Sequence, residues 1–391
     1  MKLSDRATAL SPSPTLAITA KANAMRKQGM DVIGFGAGEP DFNTPQHVLQ
    51  AAVEAMQRGY TKYTPAGGIV ELKEAICQKL LTDNGLSYER NQVVVASGAK
   101  HALYNLFQVL LNPGDEVIVP IPYWVSYPEQ VKLAGGIPVF IEGAESNGFK
   151  VTAEQLEQAV TPKTRIFVLN SPSNPTGAVY TRGELEQLAE VCIRRGLVVF
   201  SDEIYEKLLY AGSEHVSIAS LGEEIFSQTL VINGVSKPYS MTGWRIGYAA
   251  GPAHVIKAVE DLSSQSTSNP TSIAQYAALA AITGTQEPLA EMLRHFTQRR
   301  EVLLRRIGEI RGLHCVPPDG AFYVYVNIGS ALQAKGWADA DIWAEQLLER
   351  ERVAVVPGTG FGTRQHIRIS YATSLEQIEE GMARIKRFVE A

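Results

Sequence analysis

The sequence has few of the features that mark several common classes of protein. It contains three cysteines among 391 residues, Cys77, Cys192 and Cys315, which lie far apart and are odd in number. A disulfide scaffold and a zinc ribbon are therefore not expected, because both need cysteines that can pair or cluster. The 36 Lys and Arg residues against 41 Asp and Glu residues give a net charge of −5, without the basic stripe of a nucleic-acid binder.

The chain also lacks a long apolar segment. No run approaches the roughly 18 residues that a membrane span needs, and residues 1–6 do not have the apolar core of a signal peptide. We therefore expect a cytoplasmic protein that contacts neither a membrane nor nucleic acid. Apolar residues make up 45 % and charged residues 20 %, the balance of an ordinary globular protein.

Several catalytic signatures are missing as well. There is no GxxxxGK[ST] loop, no HExxH pair and no GxSxG elbow, so an NTPase, a zinc protease and an α/β-hydrolase lack their marks. Residues 34–39 resemble a dinucleotide-binding loop, but Glu39 stands in place of the third glycine, which disfavours a Rossmann dehydrogenase. The histidines are scattered, and we predict no metal site.

What the sequence does contain is an alternation of strand and helix patterns. Between residues 70 and 260, short β-branched runs alternate with stretches whose apolar residues recur at helical spacing. Continuous apolar runs are typical of parallel strands covered on both faces, and the alternation predicts an open α/β sheet. The predicted strands of this part lie at residues 93–95, 117–119, 166–169, 198–200 and 230–232.

A different pattern begins near residue 290 and predicts a second, smaller domain. A long polar helix is followed by strand patterns at residues 321–326, 353–356 and 367–371. We expect an N-terminal arm at residues 1–14, extended because of Pro12 and Pro14, and then a helix from about Thr19 to Gln28. The small α+β domain is predicted at residues 15–45 and 295–391, and the large domain, with the mostly parallel sheet, at residues 46–294.

The residues that follow the predicted strands are the candidates for a site, because open α/β sheets bind ligands at the carboxyl ends of their strands. Residues 97–100 (Ser-Gly-Ala-Lys) open a helix and can cradle a phosphate, although many turns look like this. Asp202 follows the fourth strand, where a carboxylate either acts chemically or caps a helix. Asn174 stands in a turn made rigid by two prolines and a glycine, and is either a fixed hydrogen-bonding group or only a turn former.

Lys237 follows the fifth strand, where a lysine is unusual because lysine normally prefers solvent. A buried lysine has a lowered pKa and can form a Schiff base, although a lone lysine is most often structural. A lysine, a carboxylate, a tyrosine with an asparagine, and a helix N-terminus with an arginine are together the groups that pyridoxal phosphate requires.

At these residues the sequence resembles the class I aminotransferases of fold type I, most closely the bacterial aspartate aminotransferases of subgroup Iβ. The resemblance covers nearly the whole chain and follows the order of the family's motifs. The matching segments are residues 37–42, 122–124, 174–177, 202–205, 234–247 and 367–372.

The resemblance implies pyridoxal 5′-phosphate as the cofactor, with Lys237 as its Schiff-base partner and as the carrier of a 1,3-proton shift. Asp202 would pair with the ring nitrogen, Tyr205 and Asn174 with the ring hydroxyl, and Trp124 would stack on the ring. The phosphate would be held by the backbone of Gly98, Ala99 and Lys100, by Ser236 and Arg245, and by Tyr63 of a neighbouring subunit. A homodimer with shared active sites is therefore implied.

The implied reaction is amino transfer between L-aspartate and 2-oxoglutarate, giving oxaloacetate and L-glutamate. Arg368 would bind the substrate α-carboxylate, aided by Gly38, Asn174 and Trp124, and Lys100 would bind the distal carboxylate, with Ser13 and Thr15 nearby. Two positions depart from patterns in the family. Gly234 replaces a serine that many relatives use to bind phosphate, so that Ser236 must supply the hydroxyl. Residues 263–268 lack the arginine that animal-type enzymes contribute from the partner chain.

Two other functions stay open. One is another reaction on the same cofactor, by a prephenate, aromatic or alanine aminotransferase or a carbon–sulfur lyase. Thr15 and Lys100 match the Iβ enzymes that use prephenate, whereas Ser11 stands where those enzymes usually carry a lysine. The other is a non-catalytic module, such as the aminotransferase-like half of a transcription regulator, which the complete catalytic set disfavours.

Overall fold

The computed structural model describes residues 1–11 and 14–391, without the side chains of residues 14–16. The predicted substrate contacts of Ser13 and Thr15 fall outside the described residues. The strands are β1 (Ile33–Gly34), β2 (Val93–Ala96), β3 (Glu116–Ile121), β4 (Ile137–Glu142), β5 (Thr164–Asn170), β6 (Val198–Asp202), β7 (Thr229–Gly234), β8 (Gly247–Ala250), β9 (His314–Cys315), β10 (Tyr323–Asn327), β11 (Val353–Ala354), β12 (Val356–Pro357) and β13 (His366–Ser370).

The helices alternate with these strands in the first two thirds of the chain. They are α1 (Asp5–Thr8), α2 (Pro14–Lys27), α3 (Gln46–Gln57), α4 (Val70–Asn84), α5 (Ala99–Leu110), α6 (Ser126–Leu133), α7 (Ala153–Ala159), α8 (Arg182–Arg195), α9 (Glu223–Gln228), α10 (Ala253–Ser266), α11 (Ser272–Thr283), α12 (Glu287–Gly308), α13 (Gly329–Lys335), α14 (Ala340–Glu351) and α15 (Leu375–Glu390). Among the described residues, no helix is both long and apolar enough to cross a membrane.

The larger sheet has seven strands in the order β2-β8-β7-β6-β5-β3-β4. Strand β8 runs antiparallel to both of its neighbours, and the other pairings are parallel. Separate apolar clusters form where helices such as α5 and α8 pack on the sheet. The predicted α/β class with a mostly parallel sheet is confirmed.

The smaller sheet is antiparallel, with the order β12-β13-β10-β9, and a parallel pair β1-β11 lies separately from it. Residues of α12, α14 and α15 pack against it in one continuous core. This arrangement is the α+β architecture expected for the second part of the chain. Helix α12 runs through the predicted boundary at residues 294 and 295, and the exact division into domains stays a prediction.

The N-terminal arm differs from the extended segment that we expected. Residues Asp5–Thr8 form a short helix, and the Ser4 hydroxyl accepts a hydrogen bond from the Ala7 N–H at its start. Helix α2 begins at Pro14, five residues before the predicted start, at a position where proline is tolerated because the first N–H groups of a helix have no partner within it. Pro14 therefore marks the start of a helix and not, as the sequence predicts, the end of an extended segment.

Candidate active site

A cavity of about 520 Å³ opens at the carboxyl edge of the larger sheet. Its volume is in the range of pockets that bind small molecules. Eleven of the predicted site residues line it: Gly38, Ala99, Lys100, Trp124, Asn174, Asp202, Tyr205, Ser236, Lys237, Arg245 and Arg368. The cavity therefore brings together residues from distant parts of the chain, including Arg368 of the smaller sheet.

The turn from β2 into α5 forms one wall of the cavity. Gly98 is the N-cap of α5 and has a φ of 92°, a conformation that glycine adopts without strain. A side chain there would collide with the guanidinium of Arg245. Arg245 itself has a φ of 58° and donates hydrogen bonds to the carbonyls of Thr242 (2.8 Å) and Ser97 (3.2 Å). The free N–H groups of the helix start and this arginine suit a phosphate.

Gly234 stands where many relatives carry a serine, and the sheet leaves no room for a side chain at this position. A Cβ atom at Gly234 would lie 2.9 Å from the Cα of Gly247 on the adjacent strand β8. A side chain at position 234 would therefore require a backbone shift. Ser236, two residues further along, is buried and lines the cavity.

Lys237 projects into the cavity from the segment that follows β7. Its Nζ donates a hydrogen bond to the carbonyl of Gly38 at 2.5 Å. Burial, together with the charges of Arg368 and Arg245, lowers the pKa of Lys237 to about 8. The charges of Glu39 and Asp202 oppose this shift. An amine with this pKa is partly neutral near physiological pH and can act as a base or nucleophile.

Asp202 is the last residue of β6 and is almost fully buried. Its Oδ2 accepts a hydrogen bond from the Tyr127 hydroxyl at 2.6 Å, and its Oδ1 accepts one from the N–H of Ile204 at 3.3 Å. Burial raises the pKa of Asp202 to about 6, although these two hydrogen bonds and the charge of Lys237 act in the opposite direction. A cationic partner in the cavity would keep this carboxylate ionised.

Tyr205 lies beside Asp202 in the next turn of chain and is buried. Its hydroxyl shares a hydrogen bond of 2.8 Å with the hydroxyl of Tyr323, which comes from the smaller sheet. Burial raises the pKa values of both phenols, so both remain protonated at neutral pH. The two tyrosines connect the two sheets at the floor of the cavity.

Arg368 carries a buried charge in the middle of β13. It donates to Asn174 Oδ1 at 2.9 Å and to the Gly36 carbonyl at 3.1 Å, and its guanidinium lies 4.3 Å from the centre of the Tyr323 ring. Within the described part of the chain, its Nε has no hydrogen-bond partner and no carboxylate forms an ion pair with Arg368. Buried charges are normally paired, so this arginine calls for an anion from outside the chain.

Lys100 provides a second cation at the cavity. Its Nζ lies 4.9 Å from the centre of the Trp124 ring. Partial burial lowers the pKa of Lys100, and the charge of Arg245 lowers it further. Arg368 and Lys100 are therefore two cationic groups that a ligand with two carboxylates can engage.

A further buried cluster lies next to the site but outside the cavity. Glu203, Glu206 and His215 bring possible metal-ligating atoms within 4.8 Å of one another. Glu206 is already paired with Lys79, and it also accepts hydrogen bonds from Asn84 (2.8 Å) and Asn233 (2.6 Å). We call this group the Glu206 cluster. A second cation is disfavoured at a carboxylate that a lysine already neutralises.

Not every predicted residue lies in the cavity. Gly98 does not line the cavity itself but directly precedes Ala99, which does. Tyr63 is 90 % exposed and does not line the cavity of its own chain. The sequence analysis missed Tyr127 and Tyr323, which both line the cavity and bond to predicted residues. A local signal existed for Tyr127 alone, since a residue three positions after Trp124 shares its side of a helical turn.

Lys237 and Asp202 follow the neighbouring strands β7 and β6, beside a helix start that suits a phosphate, which agrees with the fold type I aminotransferases that the sequence resembles. The chain belongs to the class I and II aminotransferase family, whose model ("Aminotransferase class I and II") matches residues 30–385. The chain is 59 % identical to an aspartate aminotransferase of Geobacillus stearothermophilus, with 100 % of both chains covered. It is 50 % identical to an aspartate/prephenate aminotransferase of Cereibacter sphaeroides, over 99 % of this chain and 98 % of the relative.

A solved structure gives the same result for the fold. The aspartate aminotransferase of Thermus thermophilus, determined with maleate, superposes with a TM-score of 0.94 at 46 % identity, covering 99 % of each chain. The sequence-based assignment to the aminotransferase family is confirmed.

Proposed function

We propose that this protein transfers the amino group of L-aspartate to 2-oxoglutarate with pyridoxal 5′-phosphate as cofactor. The observation that carries the proposal is the buried, unpaired guanidinium of Arg368 in the same cavity as the lowered-pKa amine of Lys237. An arginine in this state suits a carboxylate substrate, because its planar fork can bind two oxygens at once.

The residues of the cavity fit the proposed cofactor. The start of α5, Ser236 and Arg245 suit its phosphate, and Asp202 suits a protonated ring nitrogen. Trp124 offers an aromatic face, and Tyr205 and Asn174 offer hydrogen-bonding groups for the ring hydroxyl. When bound, pyridoxal phosphate supplies an aldehyde and an electron-withdrawing ring to the substrate Cα.

The chain's own residues would then carry the remaining steps. Arg368, held by Asn174 and Gly36, orients the substrate by its α-carboxylate. Lys237, as a neutral amine, would remove the proton from the substrate Cα and, as the resulting ammonium, would hold that proton for its return, which a pKa of about 8 allows. Asp202, as a carboxylate, keeps the ring nitrogen protonated.

The choice of aspartate and glutamate rests on Lys100 and on the relatives. Lys100 is the second cation at the cavity, and maleate, found in the Thermus structure, is a dicarboxylate. A hydrogen bond to a charged group contributes roughly 1.5–3 kcal/mol, which favours a dicarboxylate over an alanine-like substrate. Prephenate is a second candidate acceptor because the Cereibacter relative is named for both activities.

We further propose that the protein is a cytoplasmic homodimer in which Tyr63 completes the phosphate site of the partner. Tyr63 is 90 % exposed, and the apolar side chains of Val53, Met56, Tyr60 and Val70, which are near it in the sequence, are exposed as well. Exposed apolar side chains in one part of a chain are compatible with a surface that another chain covers.

The first test concerns Lys237. Borohydride reduction of the protein with pyridoxal phosphate should fix the cofactor on the tryptic peptide that contains Lys237. Lys237→Ala should abolish this labelling and remove amino transfer, because Lys237 supplies the buried amine beside Asp202 that would act as the base. A Lys237→Ala protein that transaminates near the wild-type rate would refute the mechanism.

The second test concerns the substrate. Half-reactions of the purified protein with aspartate, glutamate, alanine, phenylalanine and arogenate separate the candidate activities, and aspartate and glutamate should react fastest. Lys100→Ala should lower kcat/KM roughly ten- to a hundredfold for aspartate and glutamate, and far less for alanine. Equal losses for all three would show that another group binds the distal carboxylate.

A further inference from the structure

Tyr127 is a fully buried tyrosine whose hydroxyl has one partner. It lies in α6, is 2 % exposed, and donates its hydrogen bond of 2.6 Å to Asp202 Oδ2. A phenol is rarely buried without a partner, and here the partner is the carboxylate that faces the proposed cofactor. The bond joins residues 75 positions apart in the chain.

Asp202 has few other groups to hold it. Its other carboxylate oxygen, Oδ1, accepts a hydrogen bond from the N–H of Ile204 at 3.3 Å. Among the described residues, Tyr127 makes the one side-chain hydrogen bond to this carboxylate. The ring of Tyr127 also packs edge-on against Trp124, with ring centres 5.3 Å apart. Tyr127 therefore contacts both the carboxylate and the aromatic side chain that border the ring site.

We propose that Tyr127 is a positioning residue for the amino-transfer reaction: its hydroxyl orients Asp202 and keeps it ionised, so that the cofactor ring nitrogen remains protonated. This inference rests on the proposed function, because it requires pyridoxal phosphate in the cavity. It adds a residue that acts through Asp202 and touches neither the substrate nor the reacting carbon.

The electrostatics of Asp202 explain why one hydrogen bond matters. Burial, together with the negative charge of Glu203, raises the pKa of Asp202 to about 6. The Tyr127 hydroxyl, the Ile204 N–H and the Lys237 charge oppose that rise. Without the phenol the carboxylate becomes a stronger base, and the proton that it shares with the ring nitrogen moves towards Asp202.

The decisive variant is Tyr127→Phe, which keeps the ring against Trp124 and removes only the hydroxyl. Tyr210→Phe is the matched control, because Tyr210 is also a buried phenol with a 2.6 Å hydrogen bond, to the carbonyl of Ala321, and does not line the cavity. Both proteins are loaded with pyridoxal phosphate that carries ¹⁵N in its ring. The ¹⁵N chemical shift reports the protonation of that nitrogen without any turnover.

We expect the ¹⁵N signal of Tyr127→Phe to move towards that of a neutral pyridine near neutral pH, while Tyr210→Phe keeps the wild-type signal. The kcat for aspartate should fall roughly ten- to a hundredfold in Tyr127→Phe, the effect of one lost hydrogen bond to a charged group. KM should change little, because Arg368 and Lys100 are untouched. A wild-type ¹⁵N shift together with a wild-type kcat in Tyr127→Phe would overturn the inference.

A second substitution covers the case in which Tyr127→Phe does not fold. Replacement of Tyr127 by 3-fluorotyrosine gives a more acidic phenol of nearly the same size, which donates more strongly. Near neutral pH the ¹⁵N signal should then move towards that of a fully protonated ring nitrogen; an unchanged signal, or one displaced towards neutral pyridine, contradicts the proposal. If wild-type protein binds no pyridoxal phosphate at Lys237, the proposed function and this inference both fail, whereas binding with an unaffected Tyr127→Phe removes the inference alone.

Discussion

Lys237 and Asp202 both have pKa values displaced towards neutrality. Burial lowers the pKa of Lys237 from 10.5 to about 8 and raises that of Asp202 from 3.8 to about 6. Each shift means that burial makes the charged form less favourable in free energy than it is in the unfolded chain. Such shifts are concentrated at functional sites. The same residues that would perform the chemistry therefore lower the stability of the protein when the cavity holds no ligand.

This cost predicts that Lys237→Met stabilises the cofactor-free protein. At pH 7 the wild-type lysine is charged in both states and its burial is unfavourable, by on the order of 3 kcal/mol for the shift from 10.5 to about 8. Between pH 8 and 10.5 the unfolded chain binds more protons than the folded one, so wild-type stability rises with pH and the gap closes. Thermal unfolding of both proteins across this range measures the effect.

Lys257→Met is the control for this comparison, because Lys257 is exposed and pairs only with Asp261 on its own helix. Its unfolding temperature should follow the wild type at every pH. If Lys237→Met were no more stable than the wild type at pH 7, burial of the amine at this position would carry no cost.

Individual residues were predictable from the sequence where they follow a strand or match a motif. Lys237, Asp202 and Arg368 meet that condition, and the structure brings them into one cavity. Tyr127 and Tyr323 do not, because their importance lies in hydrogen bonds to residues 75 and 118 positions away. Tyr323, the first residue of β10, gives no local sign of such a partner, and Tyr127 gives only its spacing from Trp124.

At the scale of elements, the Glu206 cluster joins α4 to the segments after β6 and at the end of β7. Lys79 and Asn84 of α4 bind Glu206, which also binds Asn233. Burial alone would raise the pKa of Glu206, but the charges of Lys79 and His215 and the hydrogen bonds of Lys79 and Asn84 hold it at about 2. The cluster therefore fixes the chain beside Tyr205 through a buried ion pair.

Lys79→Met is expected to lower the free energy of unfolding by about 3 kcal/mol or more, because it leaves a buried carboxylate without its cation. Lys257→Met removes an exposed pair between residues of one helix and should cost far less. Denaturant unfolding of the two variants compares the losses directly. Equal losses would show that the buried pair contributes no more than a surface pair.

The sequence located most of the larger sheet but not two of its strands. Strand β8, with the residues Gly-Tyr-Ala-Ala, lacks the β-branched side chains that marked its neighbours, and at its first residue, Gly247, a side chain would collide with the backbone of Gly98 and Ala99. Strand β4 lies at the edge of the sheet and contains Pro138. A proline disfavours a strand when the prediction uses only the local sequence. Both strands exist because of tertiary packing rather than local preference.

At the scale of the whole molecule, the proposed dimer predicts complementation between two inactive variants. Lys237→Ala retains Tyr63, and Tyr63→Ala retains Lys237. If Tyr63 acts across the interface, a heterodimer of the two chains contains one complete site. Unfolding and refolding the variants together should therefore give more activity than either variant refolded alone.

Two controls limit that experiment. Sedimentation should show a dimer for the wild type and for each variant, since a monomer would exclude a shared site. If the mixture had only the average activity of its parents while dimers formed, Tyr63 would act within its own chain or not at all.

The whole architecture could be anticipated because the motifs follow the family order from end to end. The arm at residues 5–8 and the early start of α2 could not, because proline is compatible both with an extended segment and with a helix start. Which surface of a partner would cover Tyr63 in the proposed dimer is likewise a property of two chains, and one sequence contains no local sign of it.

The unpaired guanidinium of Arg368 has a practical consequence for experiments. If Arg368 binds the substrate carboxylate as proposed, it would not distinguish among small carboxylates, since any of them could accept a hydrogen bond from the Nε that has no partner among the described residues. Acetate or formate in a buffer will therefore compete with substrate for this position, and a dicarboxylate will compete more strongly by also reaching Lys100. Affinities measured in carboxylate buffers would understate those measured in amine buffers.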